Sequence, residues 1–294
     1  GVRKLGGIWT AEDLAAYRIV ERAPIVGDYR GARIISAPPP SSGGIVLVEA
    51  LNILSGYDLA QLDSATRKHL IIASMRRGHR DRAVWLGDPD FVEMPVAELI
   101  HPYYAAGLRA ADRLERAMPS AELPAILPAP QGPQTTHFSV LDAEGNRVAG
   151  TITLNFLFGS GLVVPGTGLF LNNEMDDFST KAGVPNGFQL VGNAANEIAP
   201  GKRMLSSMTP TFIESPRGLM IAGSPGGSYI TGMVLLATLD FLDGRSAAEI
   251  VAAPRIHHQY LPDVLQYARD ALTPNEIESL TKRGYTLRES KRGW

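Results

Sequence analysis

The threonine at position 135 could act as a nucleophile once the peptide bond before it is cut. It follows residues 119–133, which contain five prolines. Proline lacks a backbone N–H and disfavours helix at the preceding residue, so this segment is predicted to be a loop. Attack of the Thr135 hydroxyl on the Gln134 carbonyl would give an ester, and water would release it. The freed α-amine, with an unperturbed pKa of about 8, could accept the hydroxyl proton at neutral pH. A hinge followed by an ordinary hairpin explains the same residues, because paired threonines at strand starts are common.

Further residues could complete a site for acyl transfer. Residues 136–141 and 147–154 are predicted to form a hairpin, which places Thr153 on the partner strand. Thr153 also fits simply as a β-branched strand residue. Gly226 and Gly227 would let backbone N–H groups approach an oxyanion closely, because no Cβ intervenes. A plain tight turn is the alternative interpretation of the glycine pair.

Short motifs follow one another in a fixed order along the chain. They are Pro-Pro-Pro-Ser-Ser-Gly-Gly at 38–44, Leu-Gly-Asp-Pro-Asp-Phe at 86–91, Thr-Thr-His-Phe-Ser-Val at 135–140, Thr-Ile-Thr-Leu-Asn at 151–155, Asn-Asn-Glu-Met-Asp-Asp-Phe at 172–178, Leu-Ser-Ser-Met-Thr-Pro-Thr at 205–211, Gly-Ser-Pro-Gly-Gly-Ser at 223–228 and Ala-Pro-Arg-Ile-His-His-Gln at 253–259. The series resembles the γ-glutamyltransferase (γ-glutamyltranspeptidase) family over essentially the whole chain. Each motif alone is weak, whereas the ordered series is specific.

The resemblance implies an α+β fold of four αββα layers, the N-terminal-nucleophile hydrolase fold, with two stacked antiparallel sheets flanked by helices. It implies that residues 1–134 are the late part of a large subunit, that residues 135–294 are a small subunit, and that the two form one intertwined domain. The precursor would be cut between Gln134 and Thr135 to give a heterodimer. By the same resemblance, we expect the opening half of the large subunit and the extreme C-terminus to lie outside this sequence. The arginine that grips the substrate carboxylate would lie in that opening half.

The resemblance also assigns roles within the site. Thr135 would be the nucleophile, Thr153 would orient it, and Gly226 and Gly227 would form the oxyanion hole. The remaining residues would bind the donor, with the α-ammonium held by Asn155, Glu174 and Asp177 and the α-carboxylate by Ser206 and Ser207. A solvated acidic loop or a calcium site is the alternative for residues 172–177, although calcium would need a more regular oxygen spacing. Phe188 falls where many members carry a tyrosine on a lid.

The implied function is transfer of a γ-glutamyl group from glutathione-like donors to water or to amino-acid and peptide amines. Two rivals remain open. One is a related acylase or poly-γ-glutamate depolymerase of the same superfamily. The other is an inactive chain that is truncated or unprocessed.

Composition excludes several other classes. The formal net charge is −2, with 45% hydrophobic residues, which indicates a folded protein and gives no reason to expect nucleic-acid binding. The absence of cysteine excludes disulfides, thiolate nucleophiles and cysteine zinc sites. No apolar run reaches the roughly 18 residues of a membrane span. We expect no cofactor and no metal, since residues 159–168 do not complete a dinucleotide fingerprint and His257 and His258 lack metal-ligand spacing. The compartment is not fixed by the sequence; family analogy suggests a periplasmic or secreted protein.

Local patterns predict helix-rich sequence before position 118 and strand-rich sequence after 134. A capped helix is expected after Thr10 and another after Thr273. The other predicted elements are a hairpin within 24–37, helices at 45–54, 66–84, 229–242 and within 95–117, strands at 203–214 and 218–223, and a surface loop at 180–202.

Overall fold

The computed structural model describes residues 2–123 and 135–290. The helices are α1 Ala11–Ala16, α2 Gly43–Leu54, α3 Ser64–Trp85, α4 Val96–Leu99, α5 Pro102–Arg109, α6 Ile230–Leu242, α7 Ala247–Ala252 and α8 Pro274–Lys282. The strands are β1 Ile25–Tyr29, β2 Ala32–Ser36, β3 Thr136–Leu141, β4 Arg147–Ile152, β5 Thr211–Ser215, β6 Gly218–Ala222, β7 Ile256–His257, β8 Leu265–Tyr267 and β9 Leu287–Glu289. Short 3₁₀ turns occupy Val2–Leu5, Ser120–Glu122, Glu174–Asp177, Ala194–Asn196 and Gly227–Tyr229.

The two predicted helix caps are present. The Thr10 hydroxyl accepts from the Asp13 backbone N–H, and the Asp13 carboxylate accepts from the Thr10 N–H at 2.8 Å. Thr273 and Glu276 form the same reciprocal pair at the start of α8. Each cap satisfies N–H groups that the first helical turn leaves without an intrahelical partner.

The largest sheet contains strands from both sides of position 134. Its order is β1-β2-β5-β6 and every pair is antiparallel. β1 and β2 form the predicted hairpin, with Arg30 and Gly31 at positive φ in its turn. β2 pairs with the distant β5, and the hydroxyls of Ser36 and Thr211 hydrogen-bond at 2.8 Å where the two strands meet. The sheet thereby fixes the helical first part of the chain against the strands of the second part.

Helix α2 is the centre of the core. All of its residues are buried, because it packs against β1, α3, α5 and α6. The run of isoleucine, leucine and valine that predicted a helix at 45–54 supplies this all-round apolar surface. Among the described residues, no helix combines the length and apolar character needed to cross a membrane.

The hairpin β3–β4 is much more exposed to solvent than helix α2. Thr136 pairs with Ile152 and Leu141 with Arg147, as the sequence predicted. Most of its side chains are exposed, and Ile152 is 64% exposed. A separate three-stranded sheet pairs β7 with β8 antiparallel and β8 with β9 parallel.

Three predicted elements are shorter than expected. The strand predicted to reach Leu154 ends at Ile152, because Asn155 has a φ of 73° that a strand does not tolerate. The strand predicted at 203–214 begins only at Thr211, since Pro210 offers no N–H to a ladder.

The helix predicted within 95–117 ends at Arg109. The chain then turns so that Asp112 reaches the core. One Asp112 carboxylate oxygen lies 2.7 Å from an Arg77 guanidinium nitrogen, and the other accepts from the Tyr57 hydroxyl at 2.7 Å. These buried contacts outweigh helix propensity in that segment.

Candidate active site

Two threonine hydroxyls meet where the hairpin ends. The Oγ1 atoms of Thr135 and Thr153 lie 3.3 Å apart, one residue before β3 and one after β4. The Thr153 hydroxyl accepts from the Asn155 backbone N–H at 2.8 Å, so its own proton can point toward Thr135. We call Thr135 and Thr153 the hydroxyl pair. The pairing of Thr136 with Ile152 fixes the distance between the two hydroxyls. This proximity predicts that the Thr153 hydroxyl orients the Thr135 hydroxyl.

An acidic turn faces this pair. The 3₁₀ turn Glu174–Asp177 places Asp177 in the same cleft, with the Asn186 amide nitrogen 3.5 Å from its carboxylate. Asn155 is buried, and its amide donates to the Asn173 carbonyl at 3.2 Å. Asn155 therefore connects the end of the hairpin to the acidic turn.

Burial controls the charge of Asp177. Its pKa is raised to about 7, chiefly because burial removes solvent from the carboxylate; the nearby Arg82 opposes this shift, and the charges of Glu174 and Asp176 add to it. Burial in turn lowers the pKa of Arg82 to about 10. The Arg82 guanidinium donates to the Ser42 hydroxyl at 3.0 Å and to the Leu205 carbonyl at 3.4 Å, rather than forming a direct ion pair with Asp177. The Asp177 carboxylate thus titrates near neutral pH and, once ionised, can attract a cation in the cleft.

Ser206 and Ser207, which we call the serine pair, are held by the proline-rich loop at 38–44. The Ser206 N–H donates to the Pro40 carbonyl at 2.9 Å, and the Ser206 carbonyl accepts from the Ser42 hydroxyl at 2.7 Å. This loop therefore helps to position Ser206 and Ser207 at the cleft. The backbone carbonyl of Ser207 accepts a hydrogen bond from the Thr209 hydroxyl at 2.9 Å.

The glycine pair adopts backbone angles that other residues disfavour. Gly226 has a φ of 131° and Gly227 a φ of 57°. A Cβ on Gly227 would lie 2.4 Å from the Phe188 ring, so the close approach of these two segments requires glycine. Phe188 itself is buried rather than exposed on a surface loop, which corrects the prediction for this part of 180–202.

One cleft gathers most of the predicted residues. It is narrow, with a free volume of about 20 Å³. Its lining residues are Thr135, Thr153, Asn155, Asp177, Phe188, Ser206, Ser207, Met208, Gly227 and Ile230. Gly226 adjoins this lining and Glu174 begins the turn that carries Asp177, but neither lines the cleft. Gln134, the other side of the predicted cleavage site, lies outside the described residues.

A larger cavity, of about 570 Å³, lies between β6 and helices α6 and α7. Apolar and arginine side chains line most of it, and none of the predicted site residues does. Size alone would therefore select the wrong cavity, whereas the convergence of polar groups selects the narrow one.

The histidines form no metal centre in the described ranges, where no group of three histidine, aspartate or glutamate residues could hold an ion. His137 hydrogen-bonds Thr151 at 2.9 Å, and burial lowers its pKa. His257 and His258 are buried as well. Sequence reasoning had no signal for the charge coupling of Arg82 with Asp177, since these residues meet only in the folded chain.

Comparison with known proteins gives a consistent result. A family model described as gamma-glutamyltranspeptidase matches residues 1–293. The glutathione hydrolase proenzyme of Escherichia coli (strain K12) is 45% identical over 96% of this chain and 50% of that protein. The acylase ACY 1 proenzyme of Pseudomonas sp. (strain SE83) is 38% identical over 98% of this chain and 49% of that protein. The chain thus spans about half the length of the curated relatives it matches.

Solved structures agree. A cephalosporin acylase from Bacillus halodurans has a TM-score of 0.79 at 27% identity and covers 99% of this chain with 50% of its own. A Helicobacter pylori gamma-glutamyltranspeptidase variant has a TM-score of 0.51 at 43% identity and covers 53% of this chain with 84% of its own. The predicted α+β class and N-terminal-nucleophile hydrolase fold are confirmed by these matches and by the antiparallel sheets packed with helices.

Proposed function

Because this chain belongs to the gamma-glutamyltranspeptidase family, we propose that it is part of an enzyme that cuts its own precursor before Thr135 and then transfers γ-glutamyl groups. The observation that carries the proposal is the hydroxyl pair, 3.3 Å apart, in one cleft with Asp177 and the serine pair. The residues that we propose as nucleophile, orienting group and amino-acid-binding groups therefore lie close together, which supports the proposal.

Processing is the first proposed step. The Thr135 hydroxyl attacks the Gln134 carbonyl carbon, the C–N bond breaks as a proton passes to the departing nitrogen, and an ester joins the two residues beside the freed α-amine of Thr135. Water hydrolyses the ester, which leaves a carboxylate on Gln134 and restores the Thr135 hydroxyl. The two resulting fragments, 1–134 and 135–294, stay together as subunits, supported by the sheet that β2 and β5 share.

Acyl transfer follows from the new terminus. The α-amine takes the hydroxyl proton as Thr135 attacks the γ-carbonyl of the donor, and Thr153 holds the oxygen in line. Backbone N–H groups of Gly226 and Gly227 stabilise the oxyanion. Loss of one such donor typically costs about 3 kcal/mol of transition-state stabilisation. The amine then protonates the leaving group, and water or another amine attacks the acyl-enzyme.

Substrate recognition uses charge at one end and hydroxyls at the other. The α-ammonium of a γ-glutamyl donor meets ionised Asp177, assisted by Asn155 and Glu174. The α-carboxylate meets the Ser206 and Ser207 hydroxyls. Glutathione-like donors are proposed because relatives of the chain are named glutathione hydrolase proenzymes.

An acylase for glutaryl-type side chains is the second candidate. It is favoured by the acylase proenzyme relative and by the match to the cephalosporin acylase structure. A glutaryl group has no α-ammonium, however, and would leave the charge of Asp177 without a partner, at a cost in binding.

Rates on matched donors separate the two candidates. The protein expressed from its full reading frame is assayed with γ-glutamyl-anilide and with glutaryl-anilide, which differ only in the α-amine. We expect preference for the γ-glutamyl donor, and we expect Thr135→Ala to abolish turnover while Thr136→Ala, its exposed neighbour, keeps it. Preference for the glutaryl donor would favour the acylase, and turnover by Thr135→Ala would refute the nucleophile assignment.

A further inference from the structure

A buried glutamine behind the cleft joins two segments that meet at the glycine pair. Gln259 is 3% exposed and follows the short strand β7. It does not line the cleft, and the proposed chemistry does not use it. A buried amide is stabilised only when its donors and acceptors are satisfied, so its partners identify what it holds.

All four hydrogen-bonding positions of the Gln259 amide are used. The amide nitrogen donates to the carbonyls of Phe188 at 3.0 Å and Leu261 at 3.3 Å. The amide oxygen accepts from the Ser228 hydroxyl at 2.7 Å and lies 3.1 Å from His257 Nε2. Carbonyl oxygens can only accept, so they fix which end of the amide is the nitrogen.

Two of these partners are the neighbours of Gly227. Ser228 follows it directly in the chain, and the Phe188 ring occupies the space where a Gly227 Cβ would be. Gly226 and Gly227 have no side chains with which to anchor themselves, and both have positive φ. The turn therefore takes its position from what surrounds it, and Gln259 links the surrounding segments by two hydrogen bonds.

We propose that Gln259 is a positioning residue that holds the Gly226–Gly227 turn and the Phe188 backbone in register with Thr135. The inference rests on the proposed acyl-transfer function, in which the turn supplies the oxyanion donors. A displacement of about 1 Å in a catalytic group can cost roughly a hundredfold in rate, so this register matters more for the transition state than for donor binding.

Kinetics of the processed enzyme provide one test. Gln259→Met keeps the shape of the side chain and removes its hydrogen bonds. We expect kcat to fall at least about tenfold, as for a displaced oxyanion donor, with KM within roughly threefold of wild type. The kcat of Ser228→Ala should fall less. The kcat of the double variant, Ser228→Ala with Gln259→Met, should match that of Gln259→Met alone, because both changes break the same hydrogen bond. The matched control is Asn52→Leu, which removes a buried amide that donates to the Ile100 carbonyl at 2.7 Å in the helical core.

A second measurement needs no activity. Hydrogen exchange is followed in the peptides 186–190 and 224–230 of Thr135→Ala protein, with and without Gln259→Met. We expect faster exchange in both peptides with Gln259→Met and no change there with Asn52→Leu. Unchanged exchange, or a kcat within twofold of wild type, would overturn the positioning role. If the wild-type protein did not turn over γ-glutamyl donors, the proposed function would fail, while the exchange result would still decide whether Gln259 holds the two segments.

Discussion

The cleft has two walls that belong to different parts of the molecule and depend on different physics. The hydroxyl pair lies at the end of the exposed β3–β4 hairpin, next to Ile152, which is 64% exposed. The acidic wall, formed by Asp177, is backed by Arg82, which is 4% exposed on the buried helix α3. Alignment of neutral hydroxyls decides what the first wall does, whereas burial and neighbouring charges decide what the second does. Changes to the first should therefore affect rate, and changes to the second should affect binding and pH dependence.

Removing the charge of the acidic wall should have the larger effect. Asp177→Asn deletes the proposed counter-charge of the α-ammonium, and a hydrogen bond to a charged group is worth about 1.5–3 kcal/mol. We expect kcat/KM for γ-glutamyl-anilide to fall by up to roughly a hundredfold, mainly through KM. The rate on glutaryl-anilide should rise, because the neutral side chain no longer leaves a charge without a partner when this donor binds.

The exposed Asp28 provides the control for that experiment. Asp28→Asn makes the same substitution at an exposed position of strand β1 and should leave kcat/KM for both donors unchanged. An unchanged KM in Asp177→Asn would mean that the acidic wall does not read the donor.

Removing one hydroxyl of the pair should act on rate instead. Thr153→Val keeps the shape of the side chain but loses the contact with Thr135 and the acceptor for the Asn155 N–H. We expect kcat to fall roughly ten- to thirtyfold with KM little changed, because misalignment acts in the transition state. Thr151→Val, on strand β4 two residues before Thr153, loses only a bond to His137 and should stay close to wild type. A fall in the control equal to that in Thr153→Val would attribute the effect to the strand rather than to the hydroxyl.

The acidic wall should also set the pH profile. With a pKa of about 7, above its ordinary value because of burial, Asp177 loses its charge as pH falls through neutrality. We expect titration of Asp177 to lower kcat/KM by up to about tenfold per unit below that pKa, in addition to the loss caused by protonation of the Thr135 α-amine, and Asp177→Asn to remove only the Asp177 part of this limb. A wild-type profile that stays level from pH 8 to 5 would exclude titration of Asp177 from donor binding.

The smallest effect is expected from Glu174, which begins the turn that carries Asp177 but does not line the cleft. Glu174→Gln removes a negative charge that raises the pKa of Asp177. The acidic limb of the profile should shift to lower pH, with KM changed by less than roughly threefold, as for a weakly screened neighbouring charge. A shift to higher pH would contradict the sign of this coupling.

The two walls also differ in how far sequence could predict them. The hairpin and its turn follow from local alternation and turn residues, and the register of β3 with β4 brings the hydroxyl pair together almost automatically. The acidic wall follows only in part. The motif order indicated Asp177, but the approach of Arg82 depends on packing between residues far apart in the chain.

The loop at 180–202 also shows what the sequence alone could not predict. Residues 180–202 are rich in glycine, proline and asparagine, which predicts a surface loop. Phe188 is nevertheless buried, because a glycine at position 227 leaves space for its ring and Gln259 accommodates its carbonyl. Such complementarity joins two segments whose local patterns give no sign of each other.

The central claim is that Thr135 becomes a chain terminus, and N-terminal sequencing with intact mass measurement tests it most directly. Protein expressed from the full reading frame should yield a species that begins Thr-Thr-His-Phe, and Thr135→Ala should yield the uncut precursor alone. A fully active enzyme in which the bond between Gln134 and Thr135 stays intact would contradict the account, because Thr135 would then have no free amine to accept its proton.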